Sequence, residues 1–102
     1  MTQEIQDERK VSGTAQTPRT GFVGIIVEDR AAAAAAVNAV LSEFADVIRA
    51  RLGIPGQGAA PAVITLVVET DTARLGALAG RLGAIPGVSV KSALAKIRPS
   101  AQ

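Results

Sequence analysis

The sequence predicts an α+β fold in which one four-stranded antiparallel sheet carries two helices on one face, in the order βαββαβ. Three observations lead there. The period of the apolar residues switches between two and 3.6 in that order along the chain. Two of the four strand candidates are apolar on both faces and two carry charge on one face, as central and edge strands do. The chain has 102 residues, 48% of them hydrophobic, enough for one domain with a modest core.

Residues 1–20 are rich in Gln, Thr, Glu, Asp, Lys and Ser, with only Ile5 and Val11 large and apolar. Such a segment buries too little surface to offset its ordering entropy, so it is read as a flexible polar tail. The domain is expected over residues 21–98, and residues 99–102 are expected to fray.

The first strand falls at residues 22–28. Val23, Ile25 and Val27 share one face, Phe22, Gly24 and Ile26 the other, which marks a buried central strand. Asp29 suits a helix N-cap, because its carboxylate can accept from the free amides of the next turn. The alanine run 31–36 has the best intrinsic helix propensity. It continues into Val37, Val40, Leu41 and Phe44, an apolar stripe at helical spacing.

From Asp46 the period becomes two. Ile48, Ala50 and Leu52 alternate with Val47, Arg49 and Arg51, which predicts a half-buried edge strand with one polar face. Gly and Pro punctuation makes residues 53–61 a loop. Residues 62–69 are apolar and β-branched on both faces, the second central strand. Thr70 or Asp71 can cap the next helix, whose stripe is Leu75, Leu78 and Leu82. Gly76, Gly80 and Gly83 lie beside it, and their presence predicts close approach of that helix to the sheet, since each costs about 1 kcal/mol relative to Ala. Pro86 and Gly87 form a turn. Val88, Val90 and Leu94 then alternate with Ser89, Lys91 and Ala93 in a last edge strand.

This order is the split βαβ, or ferredoxin-like, unit. Both helices cover one sheet face, so the other displays apolar side chains of the central strands to water. A monomer seldom leaves such a patch bare. A homo-oligomer, dimer or tetramer, joined through sheet faces or edges is therefore expected.

Composition excludes several functions. Cys and His are absent, which removes thiolate and imidazole metal ligands, nickel sites of that kind, Cys nucleophiles and the commonest general base. No phosphate loop is present, because residues 53–58 lack the Lys and hydroxyl it needs. The chain is expected to be non-catalytic, with no cofactor or metal evident, although Glu28, Asp29 and Glu69 are carboxylates to consider for a hard cation. The net charge of +2 and the two aromatics, Phe22 and Phe44, argue against direct nucleic-acid binding. Arg49, Arg51 and Lys91 could form a basic patch on one sheet face. No apolar run is long enough to span a membrane and no secretory segment opens the chain, so a cytoplasmic location is expected.

Five stretches carry a family resemblance. They are Val27-Glu28-Asp29-Arg30, Val37-Asn38, Arg51-Leu52-Gly53-Ile54-Pro55, the run from Leu75 to Gly83 that reads Leu-Gly-Ala-Leu-Ala-Gly-Arg-Leu-Gly, and Pro86-Gly87-Val88-Ser89-Val90-Lys91. Together, over residues 21–97, they resemble the iron-only hydrogenase system regulators, a ferredoxin-like family akin in shape to ACT domains and to the ligand domain of the nickel-responsive repressor. The resemblance implies an oligomeric regulatory or ligand-sensing domain linked to expression or maturation of that hydrogenase. The alternative is an assembly module that senses nothing and binds a protein partner. The tail is longer than the family pattern, and the loop after Pro55 continues as Gly56-Gln57-Gly58 without an aromatic.

Six residues are candidates for binding a small effector. Glu28, Asp29 and Arg30 sit where a strand end meets a helix N-terminus, whose amides and dipole favour anions; ACT-like sensors hold ligands near this turn. Gly53, Ile54 and Pro55 are candidates for the same or a neighbouring pocket. Against this stand an N-cap with a local ion pair for the first three and a plain strand-ending turn for the others.

Overall fold

A computed structural model describes residues 17–97. The elements are β1 (Arg19–Val27), α1 (Arg30–Glu43), a 3-10 turn (Ala45–Val47), β2 (Ile48–Ile54), β3 (Ala62–Thr70), α2 (Thr72–Gly83) and β4 (Val88–Leu94). The strands form one antiparallel sheet in the order β2-β3-β1-β4. This is the ferredoxin-like α+β fold, with β1 and β3 central. Strand β1 opens at Arg19, inside the stretch read as tail; the remainder of that tail, through residue 16, and residues 98–102 lie outside the described residues.

The core lies between the sheet and the helices. Val23, Ile25 and Val27 of β1 and Leu66 and Val68 of β3 meet Val37, Val40 and Leu41 of α1 and Leu75, Leu78 and Leu82 of α2. Both helical stripes are buried where their 3.6-residue spacing puts them. Phe44 closes α1 and is also buried. Arg74 of α2 then reaches across, with its guanidinium 5.1 Å from the Phe44 ring centroid and 3.0 Å from the Asp46 carboxylate. That contact fixes the end of α1 against the start of α2.

Both helices carry an aspartate cap. Asp71 Oδ1 accepts from the Arg74 amide at 2.7 Å, and Asp29 Oδ1 accepts from the Ala32 amide at 3.3 Å. Thr70, the other cap candidate for α2, is buried at the end of β3. At the foot of β4, Gly87 has φ +79°, a conformation that favours glycine, and its carbonyl accepts from the Glu28 amide at 2.8 Å. In the β2–β3 loop Gly56 is buried, and a Cβ there would lie 2.0 Å from the Ala60 carbonyl oxygen.

Two expectations are corrected. The alternation of β2 is broken by a bulge between Ile48 and Ala50. Ile48 pairs with buried Val68 and faces the helices, whereas Ala50 and Leu52 pair with Val67 and Thr65 on the opposite face. One extra residue in a strand reverses the facing of everything after it. The strand is therefore almost wholly exposed, not half-buried; buried Val47 belongs to the preceding turn. Second, Gly76, Gly80 and Gly83 do not approach the sheet. They are exposed, with no atom within 4 Å of a Cβ built on any of them.

Candidate functional site

Strand register decides what the six candidate residues can do together. Val27 of β1 pairs with Ala62 of β3, and Ile54 of β2 pairs with Val63. Glu28, Asp29 and Arg30 therefore stand at the same end of the sheet as Gly53, Ile54 and Pro55, with β3 between them. Two strand spacings amount to roughly 10 Å. Within the second group the pleat divides the residues: Gly53 pairs with Ile64 on the helix side, and Ile54 pairs with Val63 on the open side. Asp29 uses its carboxylate in the α1 cap, Glu28 is tied by its amide to Gly87, and Arg30 opens α1. Glu69 is far away. It pairs with Thr20 at the opposite end of the sheet, so it does not join Glu28 and Asp29 around one ion.

The basic residues separate in the same way. Lys91 of β4 pairs with Gly24 on the open face. Arg49, at the bulge, reaches Glu69 at 3.2 Å. Arg51 lies in register with Leu66 on the helix side and donates to Asn38 Oδ1 of α1 at 3.1 Å. No common patch forms.

Two surface features remain. The first is the open sheet face. Phe22 and Ile26 of β1, Val63 and Val67 of β3 and Leu52 and Ile54 of β2 crowd it, each between 38% and 66% exposed. Beside Phe22 the face dips at Gly24 into a cleft of about 330 Å³ bordered by Ile26, Val63, Ser89 and Lys91.

The second is a groove between α1 and edge strand β2, bridged by the Arg51–Asn38 bond. On one side of the bridge a cleft of about 410 Å³ is lined by Leu41, Ser42, Ala45 and Ile48. On the other, one of about 120 Å³ is lined by Val27, Ala34, Val37, Ala62 and Ile64. Sequence reasoning named Asn38 only within the family resemblance, not as a site residue, and missed Ser42. Their i, i+4 spacing beside Val37 and Leu41 was the available signal, because it sets both on one edge of the buried stripe.

The carboxylates that interact most strongly lie elsewhere, between the helices. Hydrogen bonds from Arg81 hold the Glu43 carboxyl below its ordinary range, and those from Arg74 do the same for Asp46. These are exposed structural pairs that staple α2 to the end of α1.

The model of the TM1266-like family, the proposed iron-only hydrogenase system regulators, matches residues 19–92. The chain belongs to this family. Its fold is similar to the solved structure of TM1266 from Thermotoga maritima, with a TM-score of 0.73 and 42% identity over 78% of this chain and 99% of that one. No curated protein matches. The TM1266-like match covers every element from β1 into β4, so it takes in the open face and the groove alike. Among the described residues no helix is long and apolar enough to cross a membrane.

Proposed function

We propose that this chain is a non-catalytic regulatory subunit of an iron-only hydrogenase system, and that it acts as a homo-oligomer responding to a small effector. The observation that carries the reading is the family match that runs from β1 into β4. The open sheet face supports the oligomer. Four strands about 4.8 Å apart and seven to nine residues long cover roughly 500 Å². Two copies face to face then bury about 1,000 Å², near the lower bound of a specific interface. The face is also self-complementary in outline, because protruding Phe22 and the dip at Gly24 lie two residues apart on one strand. A two-fold axis across β1 would set each ring over the partner's dip, which is the reciprocity a symmetric dimer needs.

The regulatory part is tested by deleting the chain from its host and measuring hydrogenase transcript and activity. A several-fold change in either supports the reading, and unchanged levels refute it. The sensing part is tested by thermal shift of the pure protein against small-molecule classes. A flat screen would favour the assembly module.

A further inference from the structure

We propose that the groove between α1 and β2 binds a small aliphatic carboxylate, with its charged end on Arg51. This deepens the sensing reading above and rests on it for biological meaning, though the site itself stands on its own geometry.

Among the described residues Arg51 pairs with no carboxylate; its one bond, at 3.1 Å, goes to the neutral Asn38 amide. A guanidinium has five N–H donors in a planar fork that matches a carboxylate. Asn38 accepts through Oδ1, which leaves its amide nitrogen to donate, and the Ser42 hydroxyl stands one turn further along α1. No Asp or Glu lines either cleft. A rim that supplies donors and one unmatched positive charge selects a monoanion.

Shape sets the rest of the ligand. The cleft beyond the bridge is apolar, floored by Val37, Ala62 and Ile64, and measures about 120 Å³. At about 30 Å³ per water-sized group it holds roughly four carbons. It has no ring to stack on a base, which disfavours nucleotides. Gly53 stands next to the cleft, in register with its lining residue Ile64. It faces the same side as Ile64, its φ is not positive, and a Cβ there would lie an ordinary 3.9 Å from Ile64 Cγ1. Glycine is thus not required there by the backbone, and any larger side chain would lean over the floor.

The test is an NMR titration of the intact chain with isovalerate, alongside isoamyl alcohol and inorganic phosphate. Isovalerate is expected to move the amide signals of Asn38, Ser42, Arg51 and Ile64 at millimolar concentration, and the two controls are not. Arg51→Gln is expected to weaken binding by about tenfold or more, the loss of a charge-assisted bond, without lowering the thermal midpoint. Gly53→Val, which leaves charge untouched, is expected to weaken it as well. No shifts, shifts that map elsewhere, phosphate binding as well as isovalerate, or unchanged binding by Arg51→Gln would each overturn the proposal. Failure here with a hydrogenase phenotype on deletion leaves the regulatory reading intact. Binding without such a phenotype refutes that reading and keeps the site.

Discussion

Phe22→Lys should weaken self-association about thirtyfold and leave the fold in place. Phe22 lies on central strand β1, flanked by Val67 and Ala93, and is half exposed in the single chain. It is the one aromatic on the open face. Aromatic anchors near the middle of an interface are where truncation costs 2 kcal/mol or more, and a lysine adds the desolvation of a charge. An interface of about 1,000 Å² is at the small end, where weak and transient association is found, and area alone does not set affinity. If the wild-type dissociation constant is about 10 μM, a loss of about 2 kcal/mol raises it to roughly 300 μM. At about 50 μM chain, wild type is then mostly dimer and the variant mostly monomer by sedimentation velocity. Circular dichroism controls for folding. Wild type that stays monomeric at about 100 μM, ten times that constant, would refute the face-to-face reasoning. So would a variant that associates as well as wild type.

Other outcomes follow from the same contacts. Leu78→Ala, at a fully buried position, should cost about 2–5 kcal/mol in urea unfolding, since the surrounding side chains collapse only partly onto the cavity. Asp71→Ala should cost about 1 kcal/mol and more than Asp29→Ala, because its capping bond is the shorter of the two. Gly76→Ala and Gly80→Ala should each stabilise by about 0.4–1 kcal/mol, as both positions are open and have ordinary φ; a loss of association instead would show that the outer face of α2 is covered in the assembly. The lowered carboxyl pKa of Glu43 and Asp46 means that their pairs contribute stability above about pH 4, lost as pH falls through the depressed values. The effect should be small and shrink in high salt, and it should vanish in Arg74→Gln/Arg81→Gln, all read from urea midpoints at pH 7 and in acid.

Element order and burial were legible because they rest on local pattern. The stripes Val37-Val40-Leu41-Phe44 and Leu75-Leu78-Leu82 have one helical phase each, and the double-faced strands β1 and β3 had to be central. The α2 glycines were legible too, yet proximity in sequence suggested the wrong neighbour. At 100° per residue, Gly76, Gly80 and Gly83 centre about 130° from the leucines, which is the solvent side. Their cost to the helix therefore needs a reason other than packing on this sheet.

The groove was hidden by one residue. Apolar Ile48, Ala50 and Leu52 read as one face of β2 whether or not the strand is regular, so nothing in that pattern announces a bulge. Unbroken alternation would put Arg49 and Arg51 side by side, and a shared basic patch follows from that. The bulge separates them. Arg49 goes to Glu69 near the open face, and Arg51 turns toward α1 and Asn38. The bulge is set at long range, by buried Val47 in the turn before the strand and by the pairing of Ile48 with Val68. Shifting the register by one residue would take Ile48 out of the core and Arg51 out of the groove together. The same packing that secures the edge strand thus also aims the guanidinium, and weakening it at Val47 should loosen the Arg51–Asn38 bridge before it unfolds the domain.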